Sequence, residues 1–347
     1  MHFASDNSAP VHPLVMQALT RANDGSAMGY GNDDLSAQVV QQVRDLFEAP
    51  EAAVYLVPTG TSANALALSI LCQPYQTVFC SELAHINVDE CNAPEFYTGG
   101  AKLTLVRVPD VMTPDSLRAA LDGEENRGVH GPLRGPVSIT NVTEMGNVYS
   151  LREMTELCAV AKDYGLPVHL DGARFAQACV AMGCTPAEMT WQIGVDVAVF
   201  GGTKNGLMGV EAVVIFDPAK AQEFEYRRKR AGHLFSKHRY LAAQMEPYLT
   251  DDLWRELAIS ANTRAAELRA GLEALGLEIV NDTQANMIFF RMPLRAHYAA
   301  KQAGAAYHLM EPENVPEDTP VMARLVCSWD TPSETVQALL HTFRNAL

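Results

Sequence analysis

The sequence predicts an α/β protein built on a mostly parallel, seven-stranded sheet, with a smaller α+β unit after it. Three observations predict this. Seven short runs, at 53–57, 77–80, 102–108, 136–140, 167–170, 196–200 and 211–216, are mostly near-continuously apolar. Strands read that way when both faces of the sheet are covered, whereas a half-exposed strand alternates. The gaps usually carry helical spacing, as at 62–72 and 151–164, which is the pattern of crossover connections between parallel strands. Beyond Pro218 the pattern changes to longer helices with two short strands between them.

In chain order, residues 1–30 are rich in Ser, Asn, Pro and Gly around one helical patch at 13–22. Such an arm forms little core by itself and is expected to lie across its own chain or a neighbouring subunit. A helix is expected at 35–47, before the first strand. After the seventh strand comes a long basic helical stretch, EFEYRRKRAGHLFSKHRYLAAQM, followed by a helix at 252–275, strands at 286–291 and 322–328, and a last helix at 333–346. The basic run 227–230 reads as a solvated helix face. The expected division is an arm at 1–30, a large unit at 31–247 and a small unit at 248–347.

With 347 residues the chain can bury a sizeable core. Its formal net charge of −15 disfavours nucleic acid and anionic membranes as partners, so a phosphate-bearing ligand would need local donors. No apolar run is long enough to span a bilayer. Seven cysteines in an odd, irregular set, with no secretory leader pattern, read as reduced thiols in a cytoplasmic protein.

The chemistry concentrates around VAVFGGTKNGLMGVEAVVIF, where Lys204 sits in a Gly-rich break between two buried strands. An ammonium there either snorkels to solvent or is neutral and covalently engaged. The choice is decided by LPVHLDGARFAQA, in which Asp171 ends a strand 33 residues before Lys204 and Arg174 opens a helical segment. An amine for a Schiff base and a carboxylate to keep a ring nitrogen protonated are what pyridoxal phosphate needs. A third stretch, VPTGTSANALALSILC, runs a strand into Gly60-Thr61-Ser62 at a helix start, where free N–H groups and hydroxyls suit a phosphate. His85 follows the strand ending at Cys80, on the ligand side of the sheet, where its ring can stack or move protons. His85, Asp89, Glu90 and Cys91 match no common zinc spacing, and no metal is expected.

Together, FGGTKNG, HLDGARF, PTGTSAN, the His85 segment and the ASDN opening resemble the threonine aldolase group of the beta-eliminating lyase family, pyridoxal-phosphate enzymes of fold type I. Within it the chain is similar to low-specificity L-threonine and phenylserine aldolases, which have GGTKNG where others have SKGLG. It departs from the commoner ENTHN motif, with NVTEMGN at 141–147.

The resemblance implies that Lys204 carries the Schiff base, Asp171 pairs with the pyridine nitrogen and His85 stacks on the ring. Gly60, Thr61 and Thr203 would hold the phosphate. Ser5, Arg174 and Arg324 would bind the substrate carboxylate, Arg174 bordering the cofactor as well. The implied reaction is retro-aldol cleavage of L-threonine, L-allo-threonine, phenylserine or a related β-hydroxy-α-amino acid to glycine and an aldehyde. His85, His130 or a water would act as base on the β-hydroxyl. The arm and the basic helix place the expected site at a subunit interface, where Lys237 or Arg239 would reach the neighbour's phosphate, and the resemblance suggests a homotetramer built from such dimers. A β-eliminating lyase or aminotransferase of the same fold is the alternative, and a non-catalytic binding protein would not need this set of residues.

Overall fold

The computed structural model describes residues 1–108 and 110–347. The larger sheet holds β1 (Ala53–Val57), β2 (Gln76–Ser81), β3 (Lys102–Val106), β4 (Leu133–Thr140), β5 (Val168–Asp171), β6 (Val197–Gly201) and β7 (Glu211–Ile215), in the order β1-β7-β6-β5-β4-β2-β3. Strands β6, β5, β4, β2 and β3 are parallel, and β7 runs antiparallel to both neighbours, β1 and β6. Each expected strand is present within three residues of its predicted ends. The largest difference is at β4, which begins at Leu133 rather than 136. Arg134 would read as a break, but its Nε folds back to donate to the Leu121 carbonyl at 2.8 Å.

Every residue of β5, β6 and β7 is buried, which accounts for the continuous apolar runs. Helices cover both faces. On one, Phe47, Phe175 and Phe200 meet with ring centroids 5.3–5.7 Å apart, a geometry favoured by ring quadrupoles.

A second sheet is antiparallel, in the order β10 (His308–Leu309), β11 (Pro320–Val326), β9 (Met287–Pro293) and β8 (Glu278–Ile279). The Leu253–Ala274 helix links the two sheets' cores. Leu253, Trp254 and Leu257 pack into the larger one, Ala265, Leu268 and Leu272 into the smaller.

The amino-terminal arm lies across its own chain. Phe3 is buried in the small core, its carbonyl accepts from Val326 N–H at 2.9 Å, and His2 forms a bridge with Ala306. Further along, His12 N–H donates to the Gly206 carbonyl at 2.8 Å and the Trp329 indole donates to the Pro10 carbonyl at 3.0 Å. Residues far apart in sequence therefore meet beside the loop that carries Lys204.

Two expectations need correction. The basic stretch is two helices, Ala221–Arg230 and Arg239–Leu249, because Gly232 turns the chain at φ +79°. The basic run is also not wholly solvated. Arg228 is buried against the Tyr55 ring, 4.8 Å from its centroid, and donates to the Leu56 carbonyl. Its planar guanidinium can stack and stay hydrogen-bonded under β1, which an ammonium could not do as well.

The turns after β5 and β6 touch through backbone. Gly201 N–H donates to the Gly172 carbonyl at 3.0 Å, and a Cβ on Gly172 would be driven into the Val199 carbonyl oxygen. Gly172→Ala is therefore expected to cost about 1–3 kcal/mol as an overpacked contact, lowering the thermal midpoint by roughly 2–10 °C in calorimetry. An unchanged midpoint would show that the contact relaxes freely.

Candidate functional site

The topology brings the chemistry to one edge. Because β7 is antiparallel to both β1 and β6, the carboxyl ends of β1, β2, β4, β5 and β6 lie on the same side, with the start of β7. This is where open α/β sheets hold ligands. A cavity of about 310 Å³ opens there, lined by Gly60, Thr61, His85, Asp171, Thr203 and Lys204 along with Asn7, Asn64, Glu90 and Glu211.

Asp171 is buried at the end of β5. One carboxylate oxygen accepts from Ala173 N–H at 3.0 Å and the other from the Asn64 amide at 2.9 Å. The same amide nitrogen donates to Glu90 at 2.8 Å, and Glu90 lies 2.8 Å from His85 Nδ1. Asp171, Asn64, Glu90 and His85 thus form a continuous chain along the cavity wall. The hydrogen bond to Glu90 raises the His85 pKa against burial, while burial raises that of Glu90. Their shared hydrogen fixes the imidazole, with Nδ1 committed to Glu90. Sequence reasoning missed Asn64 and considered Glu90 only as a metal ligand. The available signal was Asn64 itself, an amide in a helix buried continuously from Ser62 to Leu71.

Lys204 occupies the short Thr203–Asn205 turn that follows β6. Asn205 anchors that turn, donating to the Tyr248 hydroxyl and the Trp254 carbonyl, each at 2.8 Å, and accepting from Gln177 at 3.1 Å. Thr203 Oγ1 is buried beside Glu211 and, among the described residues, makes no hydrogen bond of normal geometry. Across the cavity, among the described residues, the Gly60 and Thr61 N–H groups at the start of the Gly60–Leu71 helix make no hydrogen bond, and Thr59 caps Ser62. An orphan hydroxyl and free helix-terminal amides facing one space fit a phosphate.

Arg174 and Asp6 are both buried and form a bidentate pair, Nε to one carboxylate oxygen at 2.7 Å and an Nη to the other at 3.0 Å. Asn286 also donates to Asp6 at 3.0 Å. Burial works to raise the Asp6 pKa, but Arg174 and Lys204 bring it below the ordinary value. Arg324 donates to the Ala4 carbonyl at 3.2 Å, and its buried Nε has no partner among the described residues. Burial, and then repulsion from Arg174, lower its pKa.

Neither Ser5 nor Arg174 nor Arg324 lines the cavity itself, although Arg174 pairs with Asp6 next to Asn7 in the cavity wall, and His130, Lys237 and Arg239 stand elsewhere within one chain. Ser5 caps its own turn by accepting from Asn7 N–H, and Asn7 borders the cavity instead. His130 is exposed ahead of β4, whose eight residues put roughly 25 Å between it and the carboxyl edge. Lys237 is exposed in the loop after Gly232. Arg239 donates to the Gly25 carbonyl and stacks on Tyr240, outside the cavity.

Glu211, the first residue of β7, accepts from Gly202 N–H at 2.7 Å, and burial pushes its pKa up to about 7 from 4.5. Between those values the folded state keeps a proton that the unfolded chain has lost. Stability therefore falls as pH rises from 4.5 through 7, by roughly 3 kcal/mol at most. Glu211→Gln should match the wild type near pH 4.5 and exceed it by about 1–3 kcal/mol at pH 8, measured by urea unfolding of protein stripped of cofactor. Parallel stability curves for the two proteins would refute the assignment.

Comparison with known proteins adds to this geometry. A family profile described as beta-eliminating lyase matches residues 2–293. Over 345 residues the chain is 40% identical to a low specificity L-threonine aldolase of a Pseudomonas species, covering 99% of this chain and 96% of that one. It is 41% identical over 346 residues to a low specificity L-threonine aldolase of Pseudomonas aeruginosa, with the same shares covered. The solved structure of a threonine aldolase from Leishmania major superposes with a TM-score of 0.92 at 29% identity, covering 99% of this chain and 98% of that one.

Proposed function

The chain belongs to the beta-eliminating lyase family, and from that membership and its site we propose a pyridoxal-phosphate-dependent aldolase that cleaves L-threonine, L-allo-threonine or a related β-hydroxy-α-amino acid to glycine and an aldehyde. It is a carbon–carbon lyase. The observation that carries the reading is the meeting of Lys204, Asp171 and the Thr203, Gly60 and Thr61 donors around one cavity. When bound, pyridoxal phosphate supplies an electron sink for the pair left on Cα.

The chain's own groups divide the remaining work. Lys204 offers the amine, held at the cavity by the Asn205 anchor. Asp171, fixed by Asn64 and the Ala173 N–H, would hold a proton on the pyridine nitrogen. Thr203, Gly60 and Thr61 would hold the phosphate, and His85, immobilised by Glu90, would stack on the ring. Asp6 fixes the plane of the Arg174 guanidinium, and Arg174 and Arg324 then orient the substrate carboxylate. A fixed carboxylate keeps the Cα–Cβ bond in the orientation that cleavage requires.

We also propose a cytoplasmic homotetramer in which Lys237 or Arg239 reaches a neighbouring subunit's phosphate. The exposure of Lys237 outside its own cavity and seven unpaired cysteines support this. Sedimentation of a fully active monomer would overturn the assembly.

Purified, cofactor-loaded protein should release glycine and aldehyde in equal amounts from L-threonine, L-allo-threonine or L-phenylserine. Lys204→Ala should reduce the rate by at least about 10³-fold. Ammonia with an oxo acid, or pyridoxamine phosphate, in place of aldehyde would point to elimination or transamination.

A further inference from the structure

Residues 141–147 leave β4 directly beside the site, since Thr140 pairs with Asp171 and Asn141 N–H donates to the Asp171 carbonyl at 3.1 Å. One buried carboxylate pins the segment. Asp110 accepts from the Thr143 hydroxyl at 2.8 Å, from the Asn147 amide at 2.6 Å and from Met145 N–H at 3.4 Å. Asn147 in turn accepts from Asp282 N–H at 3.1 Å, tying the loop to the smaller unit. Glu144 sits in the middle of this fixed loop, partly accessible to water, and lies within electrostatic reach of Arg174, Lys204, His85 and Asp171. Its carboxylate has no hydrogen-bond partner among the described residues, although both flanking positions are tied down.

We propose that Glu144 is the catalytic base that takes the proton from the substrate's β-hydroxyl. This rests on the aldolase reading. Lys204 marks the amino substituent of Cα, and Arg174 with Arg324 marks the carboxylate, so a carboxylate within reach of Lys204 and Arg174, on the loop that leaves β4 beside Asp171, is placed to meet the remaining carbon substituent. His85 is less suited, because Nδ1 is committed to Glu90 and that hydrogen bond favours the protonated ring. Burial raises the Glu144 pKa, with Arg174, Lys204 and His85 opposing it. A base is more effective the closer its pKa comes to the working pH.

In the step, the β-oxygen proton passes to the Glu144 carboxylate and the O–H pair becomes the second bond of the aldehyde C=O. The Cα–Cβ bond breaks, its pair stays with Cα, and Cα takes a proton delivered through Lys204 to give glycine. Glu144 then returns its proton to solvent, so the net change is one proton moved from the β-oxygen to Cα.

The test compares cofactor-loaded wild type, Glu144→Gln and Glu144→Asp in two assays. The first is aldehyde release from L-threonine and L-phenylserine. The second is deuterium uptake at Cα of glycine in D₂O, followed by NMR, which involves Lys204 and the carboxylate clamp but no β-oxygen. Glu144→Gln should lose about 10²–10⁴-fold in aldehyde release while glycine exchange stays within about threefold, and Glu144→Asp should recover part of the loss. Aldehyde release by Glu144→Gln within about threefold of wild type would overturn the proposal, as would parallel loss of both activities. Wild type that exchanges glycine but cleaves no β-hydroxy amino acid would bring down the aldolase reading, and this assignment with it.

Discussion

The site depends on a backbone contact between two glycines. The turn after β5 and the turn after β6 approach so closely at Gly172 and Gly201 that neither position has room for a side chain. That contact sets the separation of Asp171 and Lys204, one residue before the first glycine and three after the second. Everything else at the carboxyl edge is adjusted to this spacing. Asn205 ties the lysine turn to Tyr248 and Trp254, and Asn64 ties Asp171 to Glu90 and His85. Close packing of this kind resists small shifts, because interiors are as dense as organic crystals.

Charge at the edge is balanced by several groups. Lys204, Arg174 and Arg324 share an electrostatic neighbourhood with Asp6, Asp171 and Glu144, and Lys204 with Glu211. Four of these groups, Asp6, Asp171, Glu211 and Arg174, are nearly inaccessible to water, and two of them, Arg174 and Asp6, pair directly with each other. A buried ion pair of this sort often adds little stability over apolar residues of the same shape, and removing one partner leaves an uncompensated charge. The pair is better understood as a positioning device. It spends both of the arginine's hydrogen bonds to Asp6 on a fixed plane and leaves the rest of the guanidinium for another carboxylate.

Much of the architecture was legible because both faces of the large sheet are buried, so strands stand out as unbroken apolar runs. Lys204 and Asp171 stood out for the complementary reason, as chargeable groups at the ends of such runs. Asn64, Glu90 and Asp6 were harder to read, because their significance lies in partners 26, 107 and 168 residues away. The Gly232 break was hidden by helix-forming neighbours on both sides. Arg228 looked exposed because a basic run does not reveal which member finds a carbonyl and an aromatic face under the sheet. His130 and Lys237 lie away from the cavity of their own chain, so periodicity within one chain could not assign them to a site.

The amino-terminal arm carries a consequence for the order of events on the ribosome. Asp6 is made before Arg174, yet the strand that holds its segment in place, β11, ends at Val326 and is made after every strand of the large sheet. Until then Arg174 has no buried carboxylate to fix it, and the large sheet can form with an unfinished clamp. Contacts that span almost the whole chain form late and slowly, since the intervening loop must close before any of them is rewarded. The nascent protein can thus complete its large sheet before the Arg174–Asp6 pair is set.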